Sequence, residues 1–203
     1  MAVITISRQY GAGGKTLAKM LAKELGYTFV DADIIKMIAK EANVSPEWVE
    51  SVEKDAGTRF SKIITSMIAK HLVDQVLKDE KGYIDDEKYL DYLVLIITKI
   101  ADENNAVILG RGSQYILNNH PDAFHLFLIR ELENRVKFII ENYKLTDQQA
   151  RQVVNDEDKR RLNYFSRLGK KDFDNPSLYH MVLNMNRMDI NKAFQLICTL
   201  LKD

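Results

Sequence analysis

Near the amino end, Arg8-Gln9-Tyr10-Gly11-Ala12-Gly13-Gly14-Lys15-Thr16 gathers three glycines, two cations and an aliphatic hydroxyl. Glycines let a chain curl until successive amide N–H groups point inward, and a helix start adds amides that lack intrahelical partners. Such a nest holds phosphate, with the helix dipole adding positive potential. Gly11, Ala12, Gly13 and Gly14 supply the nest. Phosphoryl transfer also needs positive charge near the phosphates, and Lys15 and Arg8 are the candidates. Thr16 could offer its hydroxyl to Mg²⁺. The run does not scan as G-x-x-x-x-G-K-[ST], because with Gly14-Lys15-Thr16 closing the pattern its first glycine falls on Gln9. The choice between Lys15 and Arg8 stays open at this level.

Other reactive side chains recur at ends of elements. Asp31 and Asp33 follow an apolar strand, where a carboxylate could hold Mg²⁺ through water or orient an acceptor hydroxyl. Asp33 also suits a helix cap, and Asp31 is the better functional candidate. Arg111 stands between Gly110 and Gly112 after a second apolar strand, and a guanidinium there can grip a phosphate or carboxylate bidentately. Asp156-Glu157-Asp158-Lys159-Arg160-Arg161 and Arg167 lie on one helical pattern. Residues 156, 160, 163 and 167 share a face, so Arg160 and Arg167 point the same way, unless Asp156 simply pairs with Arg160 on a solvated surface. The four histidines have no metal-ligand spacing, and His71 and His125 sit in apolar patterns that suit a core or edge.

The elements that must position these groups alternate. Val3 to Ile6 is a short β-branched run, as a buried parallel strand should be. Thr16 to Leu25 has helical apolar spacing and stops at Gly26; Tyr27 to Val30 is a second strand. Strand, glycine turn, helix and strand form a βαβ unit. From Ile34 to about Asn105 only helical patterns appear. Ser45-Pro46 starts one, Phe60 to Leu72 carries another, Lys81-Gly82 breaks the run, and Asp85 or Asp86 begins a helix through Ile100. Strands resume at Ala106–Leu109 and Phe124–Ile129. Helices are expected over Leu132–Tyr143 and Asp147–Arg167, the latter opened by a Thr146/Gln149 capping box. A strand near Tyr179–Leu183 and a final helix capped by Asp189 complete the pattern. The expected fold is α/β, with a parallel sheet flanked by helices, and the chain reads as a single domain.

Composition narrows the function. The 203 residues fit one core, and 46% apolar with 29% charged residues is a globular balance. Lys+Arg and Asp+Glu both number 29, so no wholly basic surface invites nucleic acid. The only cysteine is Cys198, in an apolar helical pattern, which leaves no disulfide framework. The run Leu93–Ile97 is far shorter than the roughly 20 residues a membrane helix needs, and Met1 leads straight into a strand. The expectation is a soluble, cytoplasmic protein without membrane or nucleic-acid partners.

The stretch ITISRQYGAGGKTLAKMLAKELGYTFVDADII, with VILGRGSQYIL and the DEDKRRLNYF region, resembles the cytidylate kinase-like family, relatives of the P-loop nucleoside monophosphate kinases. The similarity runs over essentially the whole chain. It implies a five-stranded three-layer fold with a helical acceptor-binding insertion at about 34–105 and a lid at about 147–170. It also implies transfer of the ATP γ-phosphoryl group, with Mg²⁺, to a nucleoside monophosphate such as CMP or dCMP. Within the resemblance Arg111 and Arg161 face the acceptor, Arg160 and Arg167 act from the lid, and Arg130 and Arg135 flank the turn after the fourth strand, where related kinases pack ATP. Cytidylate kinases carry lysine at the position of Gly14 and a carboxylate at that of Gly112. Two alternatives therefore stand beside the leading one: a nucleotide-binding sensor with weak turnover, and a small-alcohol kinase of shikimate kinase type, which the D-x-D also resembles. A homodimer through the insertion is open.

Overall fold

The computed structural model describes residues 3–31, 86–103 and 105–201. The expected helices between 34 and 85, Asp33 and His71 lie outside the described residues. The chain divides into two compact units, one of residues 1–29 with 105–203 and one of residues 30–104.

Strand β1 (Val3–Arg8) leads through the glycine turn into α1 (Gly14–Leu25), which stops at Gly26 in the left-handed region, and β2 (Thr28–Val30) follows. Helix α2 (Asp86–Asp102) belongs to the second unit and buries Leu93, Ile96, Ile97, Ile100 and Ala101, an i, i+3, i+4 stripe. Then come β3 (Ala106–Leu109), the short α3 (Ser113–Ile116), β4 (Ala123–Ile129), α4 (Leu132–Tyr143) and α5 (Asp147–Arg167). A 3₁₀ turn (Pro176–Leu178), β5 (Met181–Asn184) and α6 (Ile190–Leu200) end the described chain.

The strands form one five-stranded sheet in the order β2-β3-β1-β4-β5. β1 runs parallel to both β3 and β4, with Val3 opposite Ala106 on one side and Ala123 on the other; β4 and β5 are also parallel. Parallel strands covered on both faces should be continuously apolar, and β1 is buried from Val3 to Ser7. Its alternation sorts the two layers. Ile4 and Ile6 join Leu17, Ala18 and Leu21 of α1 and Ala193, Ile197 and the buried Cys198 of α6 in the main core. Thr5 and Ser7 face the opposite layer and need polar partners there. α4 and α5 pack on each other through Val136, Ile139, Ala150 and Val154, with Tyr10 against them. The expected capping box of α5 is present, Thr146 and Gln149 bonding reciprocally.

Thr5 meets its partner directly across the sheet. Its Oγ1 lies 2.7 Å from Nδ1 of His125, which is buried as its apolar setting predicts. The backbone N–H of His125 donates to Nδ1 of His180 at 3.0 Å. Burial chiefly, with His180 beside it, lowers the His125 pKa from 6.5 to about 4. The native state thus refuses a proton that the unfolded chain takes up below about pH 6.5. Stability is expected to be full above pH 6.5 and to fall as pH drops toward 4, with a slope of up to ~1.4 kcal/mol per pH unit from this group. Urea unfolding of His125→Gln between pH 7.5 and 4.5 should show a shallower acid decline than the parent; an equal decline would assign the loss to other groups.

Candidate active site

The site is built on the carboxyl ends of β1, β3 and β4, the edge at which open α/β sheets bind ligands. At the end of β1 the chain turns through Gly11 (φ +81°) and Gly13 (φ +88°), both left-handed. Gly13 is the N-cap of α1 and offers no capping side chain. The first intrahelical bond is from Leu17 N–H to Gly13 O, so the amides of the opening turn point out of the helix end. Ala12 is buried, its N–H donating to Gln9 O at 3.2 Å, while Lys15 and Thr16 are exposed.

Gly11 is required for a second reason. A Cβ there would stand 3.0 Å from both Cβ and the carbonyl oxygen of Arg135, so the loop rests on the α4 backbone. Arg135 is buried and clamps the loop from behind: its Nη1 donates to Asp158 at 2.9 Å and to Tyr10 O at 3.3 Å. Gln9 completes the brace by accepting from Arg130 N–H at 2.7 Å. Arg135 thus holds the loop through a carboxylate and a loop carbonyl, and the nucleotide contact expected of it stands as a proposal.

On one side of the loop opens a pocket of about 430 Å³. Ala12, Gly13 and Thr16 form one wall, Arg130 and Phe138 another, and Met185 to Ile190 with Lys192 the third. Arg130 lies 5.5 Å from the Phe138 ring centroid, a planar cation spread on an aromatic face. Asn186 Oδ1 accepts from Glu131 N–H and Asn134 Nδ2, which ties the turn after β5 to α4. Asp189 caps α6 by accepting from Asn191 and Lys192 N–H, and the Lys192 bond first of all holds its pKa low.

On the other side lie the turn after β3 and the inner face of α5. Gly110, Arg111 and Gly112 are all left-handed, with φ +75°, +59° and +68°. For Arg111 that conformation costs roughly 1 kcal/mol, and strain of this kind gathers where a side chain must be aimed. Its guanidinium lies 5.6 Å from the Tyr164 ring centroid. Just beyond, the buried Ser113 Oγ has no hydrogen-bond partner among the described residues.

The inner stripe of α5 runs Ala150, Val154, Asp158, Arg161, Phe165, Leu168. It is apolar at both ends and charged where it crosses the loop. Arg161 is mostly buried; its Nη1 meets Asp174 at 2.8 Å and its Nη2 reaches Ser7 Oγ at 3.4 Å. The rings of Phe173, Phe127 and Phe165 surround it at 4.7, 5.3 and 5.5 Å. Arg161 therefore answers the polar Ser7 that β1 turns to this layer.

Its neighbour Arg160 is turned outward. The Arg160 side chain is 76% exposed and pairs with Glu157 at 2.5 Å, not with Asp156, and the catalytic role expected of it stands as a proposal. Arg167 ends α5, and its side chain lies outside the described residues. Asp31 follows β2 and is buried, in the second unit. Asn186 and Ser7 were not singled out as site residues from sequence, whereas Arg130 was placed with Arg135 beside the ATP. The available signal was short polar residues directly after apolar strands at the ligand-binding edge.

The model of the cytidylate kinase-like family matches residues 3–187. A search of curated proteins finds no match. Among solved structures, an uncharacterized protein from Eubacterium ventriosum superposes with a TM-score of 0.69 at 18% identity, covering 100% of this chain and 99% of that one. A sugar kinase from Janibacter sp. gives 0.51 at 15% identity over 100% and 95%, and shikimate kinase from Acinetobacter baumannii gives 0.50 at 14% over 99% and 93%. The shared feature is the P-loop kinase fold.

The brace behind the loop generates a stability expectation. Asp158→Ala leaves the Arg135 charge buried without its carboxylate, which should cost about 2–3 kcal/mol in urea unfolding, somewhat less than a fully buried pair because Asp158 is partly exposed. Arg135→Met with Asp158→Leu should recover most of it. A single-variant loss below about 0.5 kcal/mol would show that the clamp carries little.

Proposed function

The chain belongs to the cytidylate kinase-like family, and from that membership we propose that it transfers the γ-phosphoryl group of ATP to a small acceptor, a pyrimidine nucleoside monophosphate before others. The observation that carries this reading is the two-sidedness of the loop. Its amides lie between a pocket walled by a planar cation and two arginines, Arg111 in the turn after β3 and Arg161 of α5 beside Ser7 of β1. A donor nucleotide would lay its base and ribose in the pocket against Arg130 and Phe138 and its phosphates on the loop. An acceptor would approach from the side of Arg111 and Arg161.

Each part has a physical task. The amides from Gly13 to Thr16 and a neighbouring cation, Arg8 or Lys15, neutralise the phosphate oxygens. Thr16, exposed on the pocket wall, suits Mg²⁺, which takes few protein ligands and shares phosphate oxygens and water; the bound ion would draw negative charge from the transferring group. Arg161 is held by three rings and by Asp174, so little side-chain freedom is lost when it meets an anion. Asp31, buried past β2, is the candidate to orient an acceptor hydroxyl. A sensor with weak turnover is the second reading, favoured by the glycine at position 14.

An ATP-consumption screen with CMP, dCMP, UMP and small polyols separates these readings. Stimulation is expected from a pyrimidine monophosphate; tight ATP binding with no stimulation by any acceptor would favour the sensor. With the active acceptor, Arg161→Met is expected to raise the acceptor KM about tenfold or more while changing the ATP KM much less. Equal effects on both KM values would remove Arg161 from the acceptor side.

A further inference from the structure

Position 14 opens α1, and its glycine is explained by the last residue of β1. A Cβ at Gly14 would stand 2.8 Å from Cγ of Arg8, 3.1 Å from its Cβ and 3.3 Å from its Cδ. Cβ is fixed to the strand, and Cγ and Cδ could withdraw only by a rotation about the Cα–Cβ bond that would take the guanidinium off its present course. The far end of the same side chain passes the turn after β3. There, a Cβ at Gly110 would come within 2.2 Å of Arg8 Nη1 and 3.3 Å of its Cζ. Arg8 thus runs from β1, across the amino end of α1, to the start of the left-handed turn. The track exists only because both positions lack a side chain.

We propose that Arg8 is the cation of the phosphate loop. It reaches the phosphates from the strand, where other loops send a lysine from the first turn of the helix, and Gly14 is the complement of that exchange. This rests on the reading that the loop binds the phosphates of ATP. The volume that a lysine stem would occupy on leaving position 14 is filled by the arginine stem, so the two arrangements exclude each other. A guanidinium keeps its charge at any working pH and meets two phosphate oxygens at once. Confinement between Gly14 and Gly110 also limits the freedom it would lose on binding. Lys15 is exposed, about 100° further round the helix than position 14, and so leaves α1 in a different direction.

Calorimetric titration of the full chain with MgATP tests this, using Arg8→Ala, Arg8→Lys, Lys15→Ala, Gly14→Lys and the Arg8→Ala/Gly14→Lys pair. Arg8→Ala is expected to weaken MgATP binding about tenfold or more, and by several-fold more than Lys15→Ala does. Gly14→Lys alone should lower the thermal midpoint, since its Cβ meets the Arg8 stem. The paired variant should regain both midpoint and affinity beyond what additivity allows. Arg8→Lys, which keeps charge and stem, guards against a folding defect and should fall between parent and Arg8→Ala. A larger loss in Lys15→Ala than in Arg8→Ala, or strict additivity in the pair, would overturn the assignment of Arg8 while leaving the phosphate site intact. A parent protein that binds no MgATP would overturn the functional reading first, and this one with it.

Discussion

The position of β1 between β3 and β4 is the constraint from which the site follows. Parallel pairing in a fixed register brings Gly110 beside the end of β1, with its N–H donating to Ile6 O at 2.9 Å, and sets Arg8 opposite Leu128. Three strand ends are thereby aligned, and the turns that leave them converge. A slip of one residue in β1 would send Ile4 and Ile6 to the polar layer and Thr5 and Ser7 into the apolar core. The alternation of the strand thus fixes both the stability of the sheet and the direction in which its last side chains emerge.

The layer that receives Thr5 and Ser7 is correspondingly mixed. His125 answers Thr5 with the His180 ring beside it, and Arg161 answers Ser7 among three aromatic rings. Burying a guanidinium is costly unless its hydrogen bonds and charge are met. Arg161 has Asp174 and three ring faces, while Arg135 has Asp158 and a loop carbonyl. Helix α5 carries a member of each pair on one stripe, so a single element both steadies the loop from behind and faces its far side. Asp158 and Arg161 are one helical turn apart, which makes the two tasks mechanically dependent.

Much of this was legible in the sequence. The strand–glycine–helix–strand opening and the apolar periodicities pointed to a parallel α/β sheet, the family resemblance implied its five strands, and several elements end where pattern and caps place them. Tyr10, ambiguous in sequence, packs against the α4 and α5 cluster. The phase of α5 was not legible, because charged residues occupy both its faces and periodicity counts an inward arginine as polar. Burial of Arg135 was hidden for the same reason. The left-handed turn through Arg111 was also out of reach, since a non-glycine residue there is held by tertiary contacts and not by local preference.

The separation of the paired strands has a consequence for biosynthesis. Thr5 meets His125 across 120 residues of sequence. During translation β1 leaves the ribosome first, and at roughly 5–20 residues per second it waits on the order of ten seconds for its neighbours. Throughout that interval Val3, Ile4 and Ile6 lack the two strands, β3 and β4, that flank them in the sheet. A nascent strand so apolar is a natural client for a holding chaperone, and the glycine loop can take shape only once the distal half of the fold has arrived.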